Sequence, residues 1–266
     1  MKLPPLSLYV HLPWCARKCP YCDFNSHTAG ENMPRTRYLD ALLTDLVGEA
    51  KRAAGRCVET IFLGGGTPSL FMPQEIDRLL SSVRDLFDVA ADAEITMEAN
   101  PGTVECGSPA GYRDAGVNRL SIGGQSLNDD ALRRLGRIHN RDDVLRVVGE
   151  ARAAGFDSLN VDLMHGLPGQ GVDAAVADLR AVIALEPQHI SWYQLTLEPK
   201  TEFAMRPPPL PGDIVLEAME HSGYALLEAA GYQRYEVSAF AQPGRECRHN
   251  LQYWTFGDYL GIGAGA

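Results

Sequence analysis

The chain has 266 residues, 45% of them hydrophobic, a formal net charge of −10 and six cysteines. That is enough for one large core, and the acidic balance excludes general attraction to nucleic acid while leaving room for a small anion in a local basic pocket. No apolar run reaches the roughly 20 residues that cross a bilayer, and Met1-Lys-Leu-Pro-Pro5 carries no charged-then-apolar secretory pattern.

In chain order, an apolar strand is predicted over 6–12. A loop with Cys15-Ala-Arg-Lys-Cys19-Pro-Tyr-Cys22 follows it, then a helix over 38–54 in which Tyr38, Leu39, Leu42, Leu43, Leu46 and Val47 recur at helical spacing. Strands over 58–63, 95–99, 119–122, 158–164 and 189–195 alternate with helices over 73–87, 142–154, 172–185 and 214–230. The stretch 109–115 reads as a short helix, and Gly155 and Gly231 as helix stops. Strand–helix alternation repeated about six times predicts a parallel α/β sheet, open or curled into a partial TIM-type (β/α)6 barrel. Residues 1–205 are read as the core and 206–266 as a proline-rich connector, a helix and the start of a C-terminal region. The last residues, Gly261-Ile-Gly-Ala-Gly-Ala266, look like the middle of a glycine-rich turn, so a fragment of a longer chain is expected.

Polar and glycine-rich motifs fall at five successive strand ends, where ligands gather in parallel sheets. The cysteine loop follows the first strand and Gly64-Gly65-Gly66-Thr67-Pro68-Ser69 the second. Glu98 ends the third, Gly123-Gly124-Gln125-Ser126 follows the fourth, and Asp162 and His165-Gly-Leu-Pro-Gly169 close the fifth. A C-x3-C-x2-C triplet can hold three irons of a cubane iron–sulfur cluster and leaves the fourth iron open. A zinc site or a two-cysteine redox pair is spaced differently. Cys57, Cys106 and Cys247 are scattered and read as buried or incidental thiols, unlike a disulfide framework. A reducing, cytoplasmic setting follows. Taken singly, a glycine triplet is often only a turn, and strand-end carboxylates often form ordinary salt bridges. His11, His27, His139, His165, His189 and His221 are read as structural, and Trp192 and Tyr193 as packing residues.

These motifs, with Tyr9-Val-His-Leu-Pro-Trp-Cys15, Glu98-Ala-Asn-Pro101, Asn118-Arg-Leu-Ser-Ile122, Leu135-Gly-Arg137-Ile-His139 and Asp162-Leu-Met-His-Gly-Leu-Pro168, resemble the radical S-adenosylmethionine (SAM) proteins of the oxygen-independent coproporphyrinogen oxidase group, and within it the HemW heme chaperones. The resemblance covers nearly the whole chain. It implies a [4Fe-4S] cluster on Cys15, Cys19 and Cys22, with SAM on the open iron. Gly65, Gly66, Thr67, Glu98, Gln125, Arg137 and Asp162 match positions that contact SAM, and Tyr9 and Tyr21 match aromatic positions beside cluster and SAM. The glycines would let the backbone approach the ligand, Asp162 suits ribose hydroxyls, and Arg137 suits the SAM carboxylate. An electron donor would be needed if SAM is cleaved.

Two features separate members of the group. The oxidases resemble C-x3-C-x2-C-x-C, but here Phe24 stands two residues after Cys22. The run His249-Asn-Leu-Gln-Tyr253-Trp254 resembles the H-N-x-x-Y-W motif that the HemW family associates with heme, with His249 as the implied iron ligand. The expected function is therefore a heme chaperone that passes heme to an acceptor protein; the alternative is oxidative decarboxylation of coproporphyrinogen III. No residue is assigned a catalytic role. One departure from the family pattern is Gly124, where a larger apolar residue is usual.

Overall fold

The structure, a computed structural model, describes residues 3–102 and 107–266. Cys106 lies outside the described residues. Nine strands form one sheet: Leu6–Leu12 (β1), Cys57–Gly65 (β2), Asp88–Ala99 (β3), Arg119–Gln125 (β4), Leu159–His165 (β5), His189–Gln194 (β6), Gln233–Arg234 (β7), Ala239–Ala241 (β8) and Asp258–Ile262 (β9). Their spatial order is β9-β1-β2-β3-β4-β5-β6-β8-β7. Strands β1 to β6 run parallel in sequence order, as the alternation predicts, and β9 extends the parallel set beside β1. β8 pairs antiparallel with β6. The two ends of the order do not pair, so the barrel is partial and open.

The helices are Arg35–Ala53 (α1), Pro73–Leu86 (α2), Pro109–Asp114 (α3), Asp129–Arg134 (α4), Arg141–Ala153 (α5), Val172–Ile183 (α6), Glu202–Met205 (α7), Asp213–Ala229 (α8) and Arg248–Trp254 (α9). Gly155 and Gly231 stand just past α5 and α8 with φ of 84° and 85°, the left-handed conformation that ends a helix without a Cβ penalty. None of these helices is long and apolar enough to cross a membrane, among the described residues.

Strand side chains alternate between two faces. Leu6, Leu8, Val10 and Leu12 of β1, with Ile61 and Leu63 of β2, face the helices and join Leu39, Leu42 and Leu46 of α1 and Ile76, Leu79, Leu80 and Val83 of α2 in one core. Each such buried aliphatic side chain contributes about 1.5–3 kcal/mol. The intervening positions carry the polar chemistry: Ser7, Tyr9 and His11 on β1, Thr60 on β2, Glu94, Thr96 and Glu98 on β3, Arg119 and Ser121 on β4, Asn160 and Asp162 on β5, and His189, Ser191 and Tyr193 on β6. The hydrophobic drive that packs the helices thus turns a polar stripe from each strand into the hollow of the curled sheet.

Two elements differ from the sequence expectation. Asp258–Ile262, whose last two residues open the run read as a turn, is a strand, because the free edge of β1 supplies the partners that a short glycine-bearing segment needs. The sheet also runs past the division expected at residue 205: β7, β8 and β9 all lie beyond it and belong to the same sheet.

Candidate functional site

The hollow has two ends. At the carboxyl ends of the strands a cleft of about 520 Å3 is lined by Cys15, Cys19, Cys22, Tyr21, Gly65, Gly66, Thr67, Glu98, Gln125, Arg137 and Asp162, eleven residues singled out from the sequence, together with Asn100, Ser121 and Tyr193. Tyr9 and His249 do not line it.

The cysteine loop is stapled from both sides. Trp14–Cys15 pairs with His27–Thr28, and Lys18 Nζ donates to the carbonyls of Phe24 (2.6 Å) and Ser26 (3.0 Å). The glycine turn presses on this loop: Gly66 N–H donates to the Leu12 carbonyl at 2.9 Å and Thr67 N–H to the Trp14 carbonyl at 2.7 Å. A Cβ on Gly66 would sit 2.6 Å from the Trp14 oxygen, and one on Gly65, which has φ of 109°, 2.5 Å from the His11 ring. The glycines are therefore required by the protein's own neighbours. The sequence reading assigns them instead to close approach of a ligand. All three cysteine side chains are half-buried. Burial keeps the Cys22 thiol above its usual pKa, against the opposing pull of the Phe24 backbone hydrogen bond and Lys18. Among the described residues, no three His, Cys, Asp or Glu side chains gather at the spacing of a single ion. Cys15, Cys19 and Cys22 all open onto the same cleft.

Glu98 Oε2 accepts from Gly65 N–H at 3.1 Å. Burial first, and then Asp162, push its carboxyl up to about 8. Asp162 is also raised by burial, and its oxygens accept from Asn160 Nδ2 (2.7 Å) and Ser121 Oγ (3.3 Å). Two half-buried carboxylates that disfavour their own charge are suited to a ligand that brings positive charge. Thr67 Oγ1 accepts from Asn100 Nδ2 at 2.8 Å. Arg137 donates from Nη1 to Cys19 Sγ (3.5 Å) and from Nη2 to the Gly123 carbonyl (3.0 Å) and Asn100 Oδ1. Its guanidinium, expected to face the SAM carboxylate, thus spends three of five donors on the cluster loop and on protein oxygens. Burial pushes the Tyr21 phenol up, beside Cys19 and Arg137, and its ring packs with Leu135, Met164, Leu167 and Leu195.

Gln125 has φ of 65°, a left-handed conformation that costs a non-glycine residue about 1–2 kcal/mol. The sheet register slips between Ile122 and Gln125, and the turn aims the side chain inward, where Oε1 accepts from Tyr193 Oη at 2.7 Å. Gly124 belongs to this slip. A Cβ there would stand 3.2 Å from Val161 and 3.3 Å from the Asp162 carbonyl, so a larger residue would shift the neighbouring strand. Tyr193, expected to be a packing residue, lines the cleft instead, whereas its neighbour Trp192 is buried against His165 with centroids 4.3 Å apart. The signal for Tyr193 was present in the alternation of β6, since it lies one pleat from Ser191. Asn100 could have been found from the Glu-Ala-Asn-Pro run.

The opposite end is filled by α9. Glu94 accepts from the backbone N–H groups of Arg248 and His249, both at 3.0 Å, which seats the helix start on β3. His249 is 2% exposed. Its Nδ1 meets Thr60 Oγ1 at 2.8 Å and its Nε2 meets Tyr253 Oη at 3.1 Å. Burial, then Arg119, lowers its pKa to about 4, so the ring is neutral. Tyr9 stands between the two ends, with its hydroxyl on His11 Nδ1 at 3.0 Å and its ring stacked on Phe62. Cys247 is buried and Cys57 exposed.

The radical SAM superfamily model matches residues 9–182. The chain is 56% identical over 266 residues to the heme chaperone HemW of Escherichia coli K12 and 53% identical over 269 residues to that of Haemophilus influenzae, in each case covering 100% of this chain and 70% of the relative. Among solved structures it is similar to the E. coli coproporphyrinogen III oxidase HemN, a radical SAM enzyme. The TM-score is 0.85 and the identity 31%, covering 98% of this chain and 64% of that one. The cleft at the strand ends, the cysteine loop beside it and these likenesses lead to one conclusion: the chain belongs to the radical SAM superfamily and, within it, to the HemW heme chaperones.

Proposed function

We propose that this chain holds a [4Fe-4S] cluster and SAM in the strand-end cleft and serves as a heme chaperone, binding heme and delivering it to an acceptor protein. The observation that carries the reading is the 56% identity to a HemW protein across the whole chain, with Phe24 standing where the oxidase group has a fourth cysteine. Because the chain spans 70% of the length of these relatives, delivery is proposed for the protein as a whole.

Cys15, Cys19 and Cys22 hold the cluster by thiolate. The cluster, when bound, supplies an iron with an open coordination position. The cleft residues do the remaining work. Glu98 releases its proton as a cationic ligand enters, Asp162 offers acceptors for hydroxyls, and Thr67 and Gln125 present polar atoms from two turns. Arg137 donates to Cys19 and holds the loop against β4. Tyr21 and the apolar cluster behind it exclude water from that side. The free thiols suit a reducing compartment such as the cytoplasm, and an electron donor is required if SAM is cleaved. Heme belongs to the His249–Trp254 segment, away from the cleft.

The test is oxygen-free reconstitution with iron and sulfide, followed by separate titrations with SAM and with heme. A cluster spectrum that responds to SAM and a stoichiometric heme complex are expected, the latter leaving for an apo-acceptor on mixing. Catalytic conversion of coproporphyrinogen III by the reduced protein would instead assign it to the oxidases.

A further inference from the structure

We infer that the back of the cysteine loop, where Arg17 and Ile138 flank a crevice that reaches Cys19, is the docking face for a small acidic electron-carrier protein, which delivers one electron to the cluster without entering the cleft. This inference rests on the cluster reading and specifies the surface and the kind of partner through which the cluster is reduced.

Cys19 lies between two openings. It lines the strand-end cleft with Cys15 and Cys22. Alone of the three it also lines a crevice of about 30 Å3, with Ala16, Arg17, Leu70, Arg137 and Ile138 among the walls. That space admits about one or two waters, so it is a contact surface and no second ligand pocket. The two elements that form it are pressed together. Gly136, with φ of 71°, carries the turn after α4 against the cysteine loop, and a Cβ there would stand 2.8 Å from Pro20. The next residue, Arg137, donates from Nη1 to Cys19 Sγ at 3.5 Å, and the one after it, Ile138, is 48% exposed. A short path of two residues and one hydrogen bond thus joins the outer surface to a cluster ligand.

Charge selects the partner. Arg17 and Arg137 border both openings, but in the cleft they face Asp23, Glu98, Asp162 and Glu198. The crevice has the two arginines and, among the described residues, no carboxylate. On a chain of net charge −10, an acidic protein is repelled by most of the surface and steered to such a local cationic spot. Arg17 is exposed and, among the described residues, belongs to no ion pair, so its charge is left for a partner. Ile138 adds an apolar contact beside it. Electron-transfer encounters bury less than about 1,200 Å2 in total, so a small patch suffices. The step balances as one electron: the carrier is oxidised by one, the cluster is reduced by one, and no bond or proton changes hands.

The experiment follows reduction of the reconstituted 266-residue chain by freeze-quench electron paramagnetic resonance. One donor is a reduced acidic plant-type [2Fe-2S] ferredoxin, and the other is photoexcited deazaflavin, a small uncharged reductant. Arg17→Glu should slow reduction by ferredoxin about tenfold at low salt and Ile138→Asp several-fold, and added salt should slow the parent far more than Arg17→Glu. Iron content and reduction by deazaflavin should match the parent in both. Arg245→Glu, the same charge change at an exposed arginine three residues ahead of α9, should match the parent with both donors. Parental ferredoxin rates in Arg17→Glu and Ile138→Asp, or equal losses with deazaflavin, overturn the docking face and leave the cluster reading standing. So does a parent cluster that accepts electrons from deazaflavin and none from ferredoxin. A parent that assembles no cluster removes both. If a variant fails to assemble its cluster, the salt response of the parent decides, and a salt-independent ferredoxin rate overturns the assignment.

Discussion

Glu94 and Glu98 point into the same hollow from the same strand, two pleats apart, yet they live in opposite circumstances. Glu94 is answered by the chain itself, through two backbone N–H groups of α9 at 3.0 Å and the Cys247 thiol at 3.4 Å. Glu98 has one protein donor and a second carboxylate nearby, and its pKa rises to about 8. The same contrast holds across the sheet. At the α9 end Ser7, Thr60, Gln252 and His249 close a network among themselves, and at the cysteine end the polar atoms converge on open space. A folded chain normally pairs its buried polar groups. Most polar groups at the α9 end hold one another, although among the described residues Arg119 Nε and Thr96 Oγ1 are buried without a partner, whereas at the cysteine end Glu98 and Asp162 stand on an open cleft.

The comparison can be broken hardest at the cysteines. Replacing Cys15, Cys19 or Cys22 by Ser should abolish cluster assembly, read as loss of protein-bound iron and sulfide, while the far-UV spectrum is unchanged because the loop is pinned by backbone and Lys18 hydrogen bonds. Retention of a full cluster by any of the three would remove that residue from the ligand set.

The next effect concerns Glu98. A cationic ligand that binds only its ionised form should gain roughly tenfold in affinity per pH unit as pH rises toward about 8, then level off. SAM titrations across pH 6–9 check this, and Glu98→Gln should flatten the profile. The stability of the ligand-free protein runs the other way. A carboxyl whose folded pKa is raised binds more protons folded than unfolded, so stability falls between about pH 4.5 and 8. Denaturant midpoints measured across that window should decline for the parent and decline less for Glu98→Gln.

Breaking the α9 end is a matter of stability. Glu94→Ala strips two charge-assisted hydrogen bonds from the start of α9 and should cost about 2–4 kcal/mol, read from chemical denaturation, with little change in SAM affinity. A large loss of SAM binding at an unchanged midpoint would show that the two ends are one site. The smallest effect is at Gln125. Replacement by Gly relieves the left-handed backbone but frees the unfolded chain and strips the Tyr193 hydroxyl of its acceptor, so these effects offset and stability should change by no more than about 1 kcal/mol, while SAM affinity falls with the lost side chain.

Much of this was legible in the residues alone. The six parallel strands emerge from runs whose apolar positions must be buried, and each predicted strand overlaps an observed one. Eleven of the residues named for cluster and SAM lie on one cleft because strand ends in a parallel sheet are neighbours in space, so motifs scattered from Cys15 to Asp162 necessarily converge. What the resemblance supplied, namely the roles of Arg137 and Gln125, came without their surroundings. The spent donors of Arg137 and the left-handed turn at Gln125 depend on atoms far away in sequence.

Alternation and spacing are local properties, and they determined the sheet, its polar stripe and the cysteine loop. Tertiary structure alone decided which polar groups are paired. It turned Asp258–Ile262 into a strand by offering it the edge of β1. It buried His249 by closing α9 onto Glu94 and Thr60, and it left Tyr253 half outside. Pairing depends on partners up to 245 residues apart, and no pattern along the chain records which of two neighbouring side chains will face the water.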